Sequence, residues 1–401
     1  MQPTEQPPMV VVGLNGALQK RFILPQGDNL IPGNVHRAAK VQDGVGGKGQ
    51  DVAIALSCLS STSPQQLVQF VGWGSAGDAV YDMLVDRLGA SAMSLTVRSN
   101  TEMRTCTSIV AADDTTELVE PSGVIGESEL QELYDKAGQV DNQARGVSIM
   151  GSMPPGCPSS TYATLYGQIA GPSTVCVVDS VAGIPELIAK AQQMRQNNSA
   201  GPIIFKVNAA ELCKLASVSK SKSETGGVHL DELVEAIQKF DAKFSPNGAL
   251  LGLAVTDGKH PAYFVSLVGE TTFQLFRIQV PTLDTNKRTL YPIGAGDAVA
   301  AGTLAAWVNL VTDDSCETIP NACQKLLSDL AMTLSSDAKF LDSLDIAKVI
   351  ASFSFGLVCG SASCLQEENS VLQVADVLRL LQQVQPPKLV LTESLTKIQK
   401  A

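Results

Sequence analysis

The sequence predicts an α/β protein of three layers, in which a mostly parallel β-sheet lies between two layers of helices. Two observations predict this fold. Short, uninterrupted apolar runs alternate with segments of helical periodicity over most of the chain, and such strands separated by helices are typical of a parallel sheet buried on both faces. The composition agrees, because 44% hydrophobic and 17% charged residues indicate a large core.

Six apolar runs predict the strands of the sheet, and six amphipathic segments predict the helices that cover it. The predicted strands are residues 9–14, 67–72, 147–150, 175–179, 203–207 and 251–255. The predicted helices are residues 48–60, 79–88, 129–137, 162–169, 185–192 and 230–240. Sheets of this kind bind ligands at the carboxyl ends of their strands, so functional residues are expected there.

Two stretches interrupt this alternation. Residues 21–41 and 95–119 show strand-like patterns with no helix between them, which predicts a small β-sheet lid outside the main sheet. Residues 217–228 are rich in Ser, Lys and Gly and predict a surface loop, while residues 313–344 predict a helical insertion.

The whole chain is predicted to form a single domain over residues 9–385. Residues 15–42 and 95–121 contribute the lid, and residues 1–8 and 386–401 form tails.

Charge and composition exclude several classes of function. A net charge of −11 and a pI near 4.8 argue against a nucleic-acid or membrane partner, since both require a basic face. No apolar run approaches the ~18 residues that cross a bilayer. Nine cysteines without CxxC spacing indicate reduced thiols, and the N-terminus lacks the features of a secretory signal. A soluble, cytoplasmic protein is expected.

A glycine turn, Tyr291-Pro-Ile-Gly-Ala-Gly-Asp297, opens an apolar helix in the last third of the chain. Free N–H groups at a helix start attract anions, and glycine lets a ligand approach the backbone. Asp297 then has two interpretations. It is a general base that takes a proton from an attacking hydroxyl, or it is an acidic residue that stabilises the start of the helix.

A second glycine turn, Asp43-Gly-Val-Gly-Gly-Lys-Gly-Gln50, precedes the first predicted helix. Paired glycines allow a close turn around a substrate, and Lys48 offers a mobile positive charge for a phosphate or a sugar hydroxyl. The spacing is not that of a Walker motif. A simple strand-to-helix turn is the alternative interpretation.

Three further features carry polar groups at predicted strand ends or on the lid. Asn208 and Glu211 follow a buried strand, where they form either a water-mediated Mg²⁺ site or a helix-capping pair. The segment 151–156, Gly-Ser-Met-Pro-Pro-Gly, also follows a strand and is otherwise a proline-stiffened loop. Arg104 lies on a predicted lid strand, where it either binds a phosphate as a bidentate donor or is an exposed arginine without a partner.

Taken together and in this order, the motifs resemble the ribokinase (PfkB) family of carbohydrate kinases, over residues 9–381. The shared features are the early GGKG, the NxxE after a mid-chain strand and the late GAGD. Within the family the chain is most similar to the tagatose-6-phosphate kinases and 1-phosphofructokinases. That likeness is carried by Arg104 and by residues 14–18, 35–37, 116–123, 151–156 and 291–297.

The resemblance implies a ribokinase-like fold and a set of residue roles. Asp297 would be the base, and the N–H groups of Gly294, Ala295 and Gly296 would form an anion hole. ATP and Mg²⁺ would be the cofactors, with Asn208 and Glu211 organising the metal through water. The implied sugar-binding residues are Asn15, Gln19, Gly46, Gly47, Lys48, Gln50, Arg104 and Ser152. The implied ATP-binding residues are Lys206, Asn208, Glu211, Thr256, Asp257, Gly258, Gly294, Gly296 and Ser361. A homodimer through the lid is also implied.

Some positions depart from the family pattern. Gln19 replaces a sugar-binding Asp, and Gln50 is found where an Asn follows GGKG; Val207 and Asp257 replace a usual Pro and Gly. The resemblance implies an ATP-dependent kinase of a ketohexose phosphate such as fructose 1-phosphate, fructose 6-phosphate or tagatose 6-phosphate. A kinase of an unphosphorylated sugar or nucleoside is one alternative. A catalytically silent member that serves as a binding or scaffold protein is the other.

Overall fold

The computed structural model describes residues 6–60, 63–112, 114–219, 226–246, 248–267, 272–284, 289–312, 317–336 and 344–394. Fourteen strands and eleven α-helices lie in these ranges. The strands are β1 (Met9–Val12), β2 (Ala17–Ile23), β3 (Lys40–Gly46), β4 (Gln65–Trp73), β5 (Thr96–Glu102), β6 (Thr105–Val110), β7 (Thr115–Val119), β8 (Ala144–Met150), β9 (Ala170–Asp179), β10 (Ile203–Asn208), β11 (Leu250–Thr256), β12 (Ala262–Ser266), β13 (Thr272–Ile278) and β14 (Lys388–Ser394). The helices are α1 (Lys48–Leu59), α2 (Gly74–Leu88), α3 (Glu127–Gly138), α4 (Thr161–Ile169), α5 (Ile184–Gln196), α6 (Ala209–Leu215), α7 (Leu230–Phe244), α8 (Ala295–Val311), α9 (Asn321–Ser336), α10 (Leu344–Ser363) and α11 (Val374–Leu381).

The main sheet has ten strands in the described residues, in the order β14-β13-β12-β11-β10-β9-β8-β1-β4-β5. The pairs from β5 to β11 are parallel, whereas β11 through β14 pair antiparallel. One face packs against α1, α2 and α8 to α11, and the other packs against α3 to α7. This arrangement confirms the predicted three-layer fold, including all six predicted strands.

A second sheet of four strands, in the order β3-β2-β6-β7, forms the lid. The predicted lid boundary needs one correction. Strand β5 lies within the 95–119 stretch, yet it pairs in parallel with β4 at the edge of the main sheet. Buried side chains on both faces of its first half, Thr96 and Val97, explain this placement, because a strand covered on both sides belongs in the core.

The C-terminal prediction also needs correction. Residues 386–401 were expected to be a tail, but β14 pairs with β13 and extends the main sheet. The predicted 217–228 loop and 313–344 insertion are described only in part. Residues 220–225, 313–316 and 337–343 lie outside the described residues, as do 1–5 of the predicted N-terminal tail. Within the insertion, residues 321–336 form α9, as expected for a helical segment.

Helix α10 corrects the expectation about apolar runs. Its residues Asp345–Ser363 are long and apolar enough to cross a membrane by length and composition alone, but 94% of that window is buried inside the protein. The helix packs against α8, whose residues from Asp297 to Val308 are all buried. It is therefore a central helix of the core. The eight cysteines in the described residues form no disulfide bonds.

Candidate active site

The predicted site residues converge at the carboxyl edge of the main sheet. The GGKG turn packs against the turn after β1, where a Cβ at Gly47 would lie 2.9 Å from Gly16 Cα and 3.3 Å from Asn15 O. Gly49 and Gly13 approach so closely that a Cβ on Gly49 would lie 2.3 Å from Gly13 Cα. Only glycine fits at such a contact. The start of α1 is therefore held against β1, with Lys48 in the cleft.

Asp179, at the end of β9, lies between two lysines. Its carboxylate accepts from Lys48 Nζ at 2.7 Å and from Lys206 Nζ at 2.5 Å. Burial alone would raise the pKa of Asp179, but the two ammonium groups outweigh burial and hold its pKa below the usual value. Burial alone would lower the pKa of Lys48, but attraction to Asp179 and Asp297 outweighs burial and holds its pKa above the usual value. Lys48 therefore remains charged beside Asp297.

Asp297 lies in the first turn of α8, and only 8% of its surface is exposed. Its Oδ1 is buried and accepts no hydrogen bond from the described part of the chain. Burial and repulsion from Asp179 raise the pKa of Asp297 to about 7, although Lys48 and Lys206 partly oppose the rise. A carboxyl group with an unused oxygen and a pKa near neutrality suits general-base chemistry.

The turn before Asp297 presents free backbone N–H groups. Gly294 has φ +80° and caps α8, a conformation that favours glycine. The N–H of Ala295 donates to Pro292 O at 3.1 Å, and the N–H of Asp297 donates to Gly294 O at 3.1 Å. The N–H groups of Gly294 and Gly296 find no acceptor among the described residues. These two glycine amides are available to an anion at the helix start.

Asn208 and Glu211 form the capping pair that was one of their two interpretations. Asn208 Oδ1 accepts from the N–H of Glu211 at 2.8 Å, and Glu211 Oε2 accepts from the N–H of Asn208 at 3.1 Å. The second carboxylate oxygen, Oε1, lies 3.7 Å from Lys48 Nζ. Capping therefore uses one oxygen of Glu211 and leaves the other facing the cleft.

On the other side of the cleft, two of the predicted sugar-binding residues, Asn15 and Arg104, line a small cavity of about 30 Å³. Arg104 donates to Asn15 O at 2.7 Å and to Gly16 O at 3.2 Å. The Asn15 side chain donates to Ser152 Oγ at 2.9 Å and accepts from Ser122 Oγ at 2.7 Å. The turn after β1, the lid and the 151–156 segment are thus brought together.

The predicted nucleotide-binding residues are distributed around the opposite end of the cleft. Thr256 ends β11, and Gly258 has open space around it. Asp257 Oδ2 accepts from the N–H of Val228 at 2.6 Å, so it holds the neighbouring loop. Ser361 is buried and its hydroxyl donates to Leu357 O at 2.9 Å within α10. Its helix reaches the glycine turn, because a Cβ on Gly360 would lie 2.9 Å from Ala295 O.

Comparisons with known proteins show to which family the chain belongs. The family model described as pfkB family carbohydrate kinase matches residues 16–327. The chain belongs to that family. This confirms the resemblance to the ribokinase (PfkB) kinases that the ordered motifs predicted.

Individual relatives of this pfkB kinase include a curated 1-phosphofructokinase from Xanthomonas campestris, 31% identical over 185 residues that span 45% of this chain and 55% of the relative. The alignment therefore spans about half the length of that curated relative. The structure of phosphofructokinase-2 from Escherichia coli matches with a TM-score of 0.66 at 18% identity, covering 94% and 98% of the two chains. A possible 1-phosphofructokinase from Thermotoga maritima matches with a TM-score of 0.62 at 16% identity, covering 95% and 99%. These structures share the ribokinase-like fold.

The two glutamines that depart from the family pattern lie in different places in this pfkB kinase. Gln19 is buried in the lid and donates to Ser108 Oγ at 2.6 Å. Gln50 donates to Gly13 O at 2.8 Å and to Gln69 Oε1 at 2.7 Å, and it is 1% exposed. The expectation that Gln50 contacts the sugar is therefore corrected, because its side chain points into the core between α1 and the sheet.

Asp51, the next residue, is a site residue that the sequence did not reveal. Burial and repulsion from Asp297 raise its pKa well above the usual value, although Arg21 lowers it. Its Oδ1 accepts no hydrogen bond from the described residues. In the sequence Asp51 is an acidic residue in the first turn of a helix, which is common at helix starts. Asp179 was missed for a similar reason, since it was assigned only to a strand end.

The pKa of Asp297 gives a testable pH dependence. Below pH 7 its carboxyl group is protonated and cannot accept a proton, so we expect kcat/KM to fall as pH decreases through about 7. The value of kcat/KM reports the ionisation of the free enzyme. The profile is measured between pH 5.5 and 8.5, and samples returned to neutral pH test for inactivation. A flat profile with reversible activity would contradict this role for Asp297.

Proposed function

We propose that this pfkB kinase transfers the terminal phosphoryl group of ATP to a hydroxyl group of a phosphorylated ketohexose. The observation that carries the proposal is Asp297, whose buried Oδ1 has no partner among the described residues. It lies at the start of α8 beside two unbonded glycine amides. A carboxylate beside an anion-binding turn has no structural need to be there, but it suits deprotonation of a hydroxyl that attacks phosphorus.

In the proposed reaction, Asp297 accepts the hydroxyl proton as the sugar oxygen bonds to phosphorus and the bond to ADP breaks. The amides of Gly294 and Gly296 stabilise the charge that gathers on the transferred group. Lys48 and Lys206, both held by Asp179, add positive charge on the same side. Phosphoryl transfer depends mainly on positioning and charge stabilisation, and these groups supply both.

The residues present also fit a magnesium ion held through water. The described residues contain no cluster of three or more metal-ligating side chains, so a closed cage is not formed there. Mg²⁺ usually keeps several waters and binds one or two carboxylates together with substrate phosphates. Glu211 Oε1, which faces Lys48 across 3.7 Å, would hold such a hydrated ion. When bound, Mg²⁺ neutralises phosphate charge and orients the nucleotide.

Support for a phosphorylated acceptor comes from the cavity that Asn15 and Arg104 line. Arg104 is tied to the turn after β1 by two carbonyl groups, so its guanidinium is already oriented. Arginine binds phosphate in a bidentate geometry. The curated relative from Xanthomonas is named 1-phosphofructokinase, which agrees with a ketohexose phosphate as the acceptor.

A substrate panel tests the proposal. ADP release is measured with fructose 6-phosphate, fructose 1-phosphate, tagatose 6-phosphate, fructose, ribose and adenosine. We expect kcat/KM for one ketohexose phosphate to exceed that for fructose by about 10- to 150-fold, since one charged hydrogen-bonding group is worth about 1.5–3 kcal/mol. Preference for an unphosphorylated sugar or nucleoside would contradict the acceptor. No turnover on any acceptor, with ATP bound, would indicate a silent binding protein.

A pair of arginine variants separates phosphate recognition from general charge effects. Arg104→Gln should raise KM for the sugar phosphate about 10-fold or more while KM for ATP stays unchanged. Arg98→Gln is the matched control. It removes the same charge, but Arg98 pairs with Asp78 at the exposed surface. Equal effects of the two variants would argue against phosphate binding by Arg104.

We also propose that the protein forms a homodimer through the lid. Three apolar side chains on the two outer strands of the lid are exposed: Val41 by 48%, Leu118 by 58% and Val119 by 59%. An exposed edge strand with apolar side chains can pair with a second copy of the same chain. Light scattering gives the mass in solution that decides this point.

A further inference from the structure

Five residues between α10 and α11, residues 366–370, connect elements that are far apart in the chain. We name this segment the clasp loop. It contacts the lid strands β2 and β3, helix α2 and the glycine turn at the start of α8. The contacts are Glu367 with Lys40 at 2.7 Å and with Gln42 at 3.3 Å, Glu368 with Arg87 at 2.6 Å, Asn369 with Arg21, and Ser370 with Gly294 O at 2.9 Å.

Ser370 is the part of the clasp loop that touches the glycine turn. It is fully buried, and its φ of +57° places a non-glycine residue in the left-handed region. Such a conformation costs about 1–3 kcal/mol and persists only where the surroundings fix it. The hydroxyl of Ser370 donates to Gly294 O, and that hydrogen bond is a reason for the chain to hold this conformation.

The carbonyl group that Ser370 contacts has a special position. Gly294 O also accepts from the N–H of Asp297 at 3.1 Å and from the N–H of Ala298 at 2.9 Å. The peptide plane that contains this carbonyl also contains the N–H of Ala295. Its orientation therefore fixes the direction in which the first amides of α8 point, and it sets the position of the Asp297 backbone.

Asn369 is the part of the clasp loop that touches the lid. Its Oδ1 accepts from Nη2 of Arg21 on β2, and Arg21 is only 5% exposed. Neighbouring Cα atoms are about 3.8 Å apart, so a displacement of Asn369 is transmitted directly to Ser370. The outer contacts of Glu367 with Lys40 and Gln42 on β3 tie the second lid strand to the same loop.

We propose that Ser370 and Asn369 are positioning residues that couple lid closure to formation of the anion-binding turn. When β2 lies in its closed position, Arg21 holds Asn369, and Ser370 then holds the Gly294 carbonyl. When the lid opens, the turn loses this support. The free amides and the base are therefore assembled only when a sugar is enclosed. The inference rests on the proposed function, because it assumes that the lid covers the acceptor.

Hydrogen exchange of the free protein tests the coupling without any substrate. Ser370→Ala should speed exchange of the β2 and β3 amides about 5–10-fold, although Ser370 contacts neither strand. Asn369→Ala removes the contact with Arg21 but keeps the Cβ that lies beside Gly294, and it should speed exchange of the Asp297 and Ala298 amides by a similar factor. Coupling between two sites is reciprocal, and loss of one hydrogen bond predicts an effect of this size. The proposal would be overturned if Ser370→Ala changed exchange only in the glycine turn and Asn369→Ala changed exchange only in the lid strands.

Kinetics give a second readout. Ser370→Ala should lower kcat about 10-fold and leave KM for ATP within about twofold, because an ill-positioned turn affects the transition state rather than nucleotide binding. Ser370→Gly removes the same hydroxyl and relieves the backbone conformation at φ +57°. It should lose as much kcat as the alanine variant. Wild-type turnover of Ser370→Gly would show that the hydroxyl is not the link.

Arg87→Gln is the matched control, since it breaks a contact of the same loop with α2 but leaves the bonds from Arg21 to Asn369 and from Ser370 to Gly294 in place. We expect kcat within about twofold of the wild type and unchanged exchange at Asp297. If Arg87→Gln reproduced the effects of Ser370→Ala, general loosening of the clasp loop, and not coupling, would explain them. Absence of sugar kinase turnover in the wild type would refute the proposed function alone, because the exchange results are judged separately.

Discussion

Replacing Asp297 with Asn should lower kcat by ~10²–10⁴-fold, which is the usual contribution of a general base. Asn keeps the size of the side chain but accepts protons far more weakly than a carboxylate. In the wild type Oδ1 has no hydrogen-bond partner in the described residues, so the substitution breaks no bond at that atom. Steady-state ADP release with the best acceptor of the substrate panel measures the effect. ATP affinity, measured by calorimetry, should be retained.

The free energy of unfolding distinguishes the two interpretations of Asp297, a general base or an acidic residue that stabilises the start of α8. The folded-state pKa is raised to about 7, so ionised Asp297 destabilises the folded protein increasingly as pH rises from about 4 to 7. Asp297→Asn should therefore match or exceed wild-type stability at pH 8. Asp231 supplies the control, because it is also acidic and lies in the first turn of a helix, α7. Asp231→Asn should leave kcat unchanged. Near-normal turnover of Asp297→Asn would refute the assignment of Asp297 as base.

Replacing Asp179 with Asn should destabilise the protein by about 3–5 kcal/mol, the usual effect of removing one partner from a buried ion pair. The side chains of Asp179 and Lys206 are 3% and 5% exposed, so the lysine would be left as an uncompensated buried charge. Lys48 would also lose its 2.7 Å contact and its fixed position in the cleft. We therefore expect a loss of kcat along with the loss of stability. Urea unfolding at pH 7 measures the loss of stability.

An exposed pair provides the control for Asp179. Glu235→Gln removes the partner of Lys239 at 2.7 Å on the surface of α7, where such pairs contribute about 0.3–0.5 kcal/mol. The effect of Asp179→Asn should also depend on pH. Because the folded-state pKa of Asp179 lies below its usual value, its stabilisation is present above about pH 4 and is lost as pH falls further. Equal effects of the two substitutions at pH 7 would contradict a structural role for Asp179.

Local patterns were sufficient to predict the parallel part of the fold except for β5, which was assigned to the lid. Each of β1, β8, β9, β10 and β11 contains a run of buried residues, most of them apolar, because both faces of the sheet are covered. The antiparallel strands β12 to β14 were not predicted. Strand β13 alternates buried and exposed residues only in part, and β14 is identified by its partner rather than by its own composition. Long-range pairing of this kind is not encoded in a local pattern.

The candidate site was predicted in part. The sequence indicated Asp297, Lys48, Asn208, Glu211 and Arg104, because glycine turns and strand ends mark positions where polar groups meet. Asp179, Asp51 and Ser370 could not be found in the same way. Each is an ordinary residue in its local context, and its role depends on distant partners. Lys48 lies 131 positions from Asp179, and Gly294 lies 76 positions from Ser370.

Helix α8 and the lid carry different parts of the proposed site. The residues of α8 from Asp297 to Val308 are all buried, so the proposed base stands at the start of a helix that the core encloses. The groups proposed to select the acceptor stand elsewhere, on the turn after β1 and on the four-stranded lid. Changes on the lid that alter the proposed acceptor preference can therefore arise without any substitution in the helix that carries the proposed base.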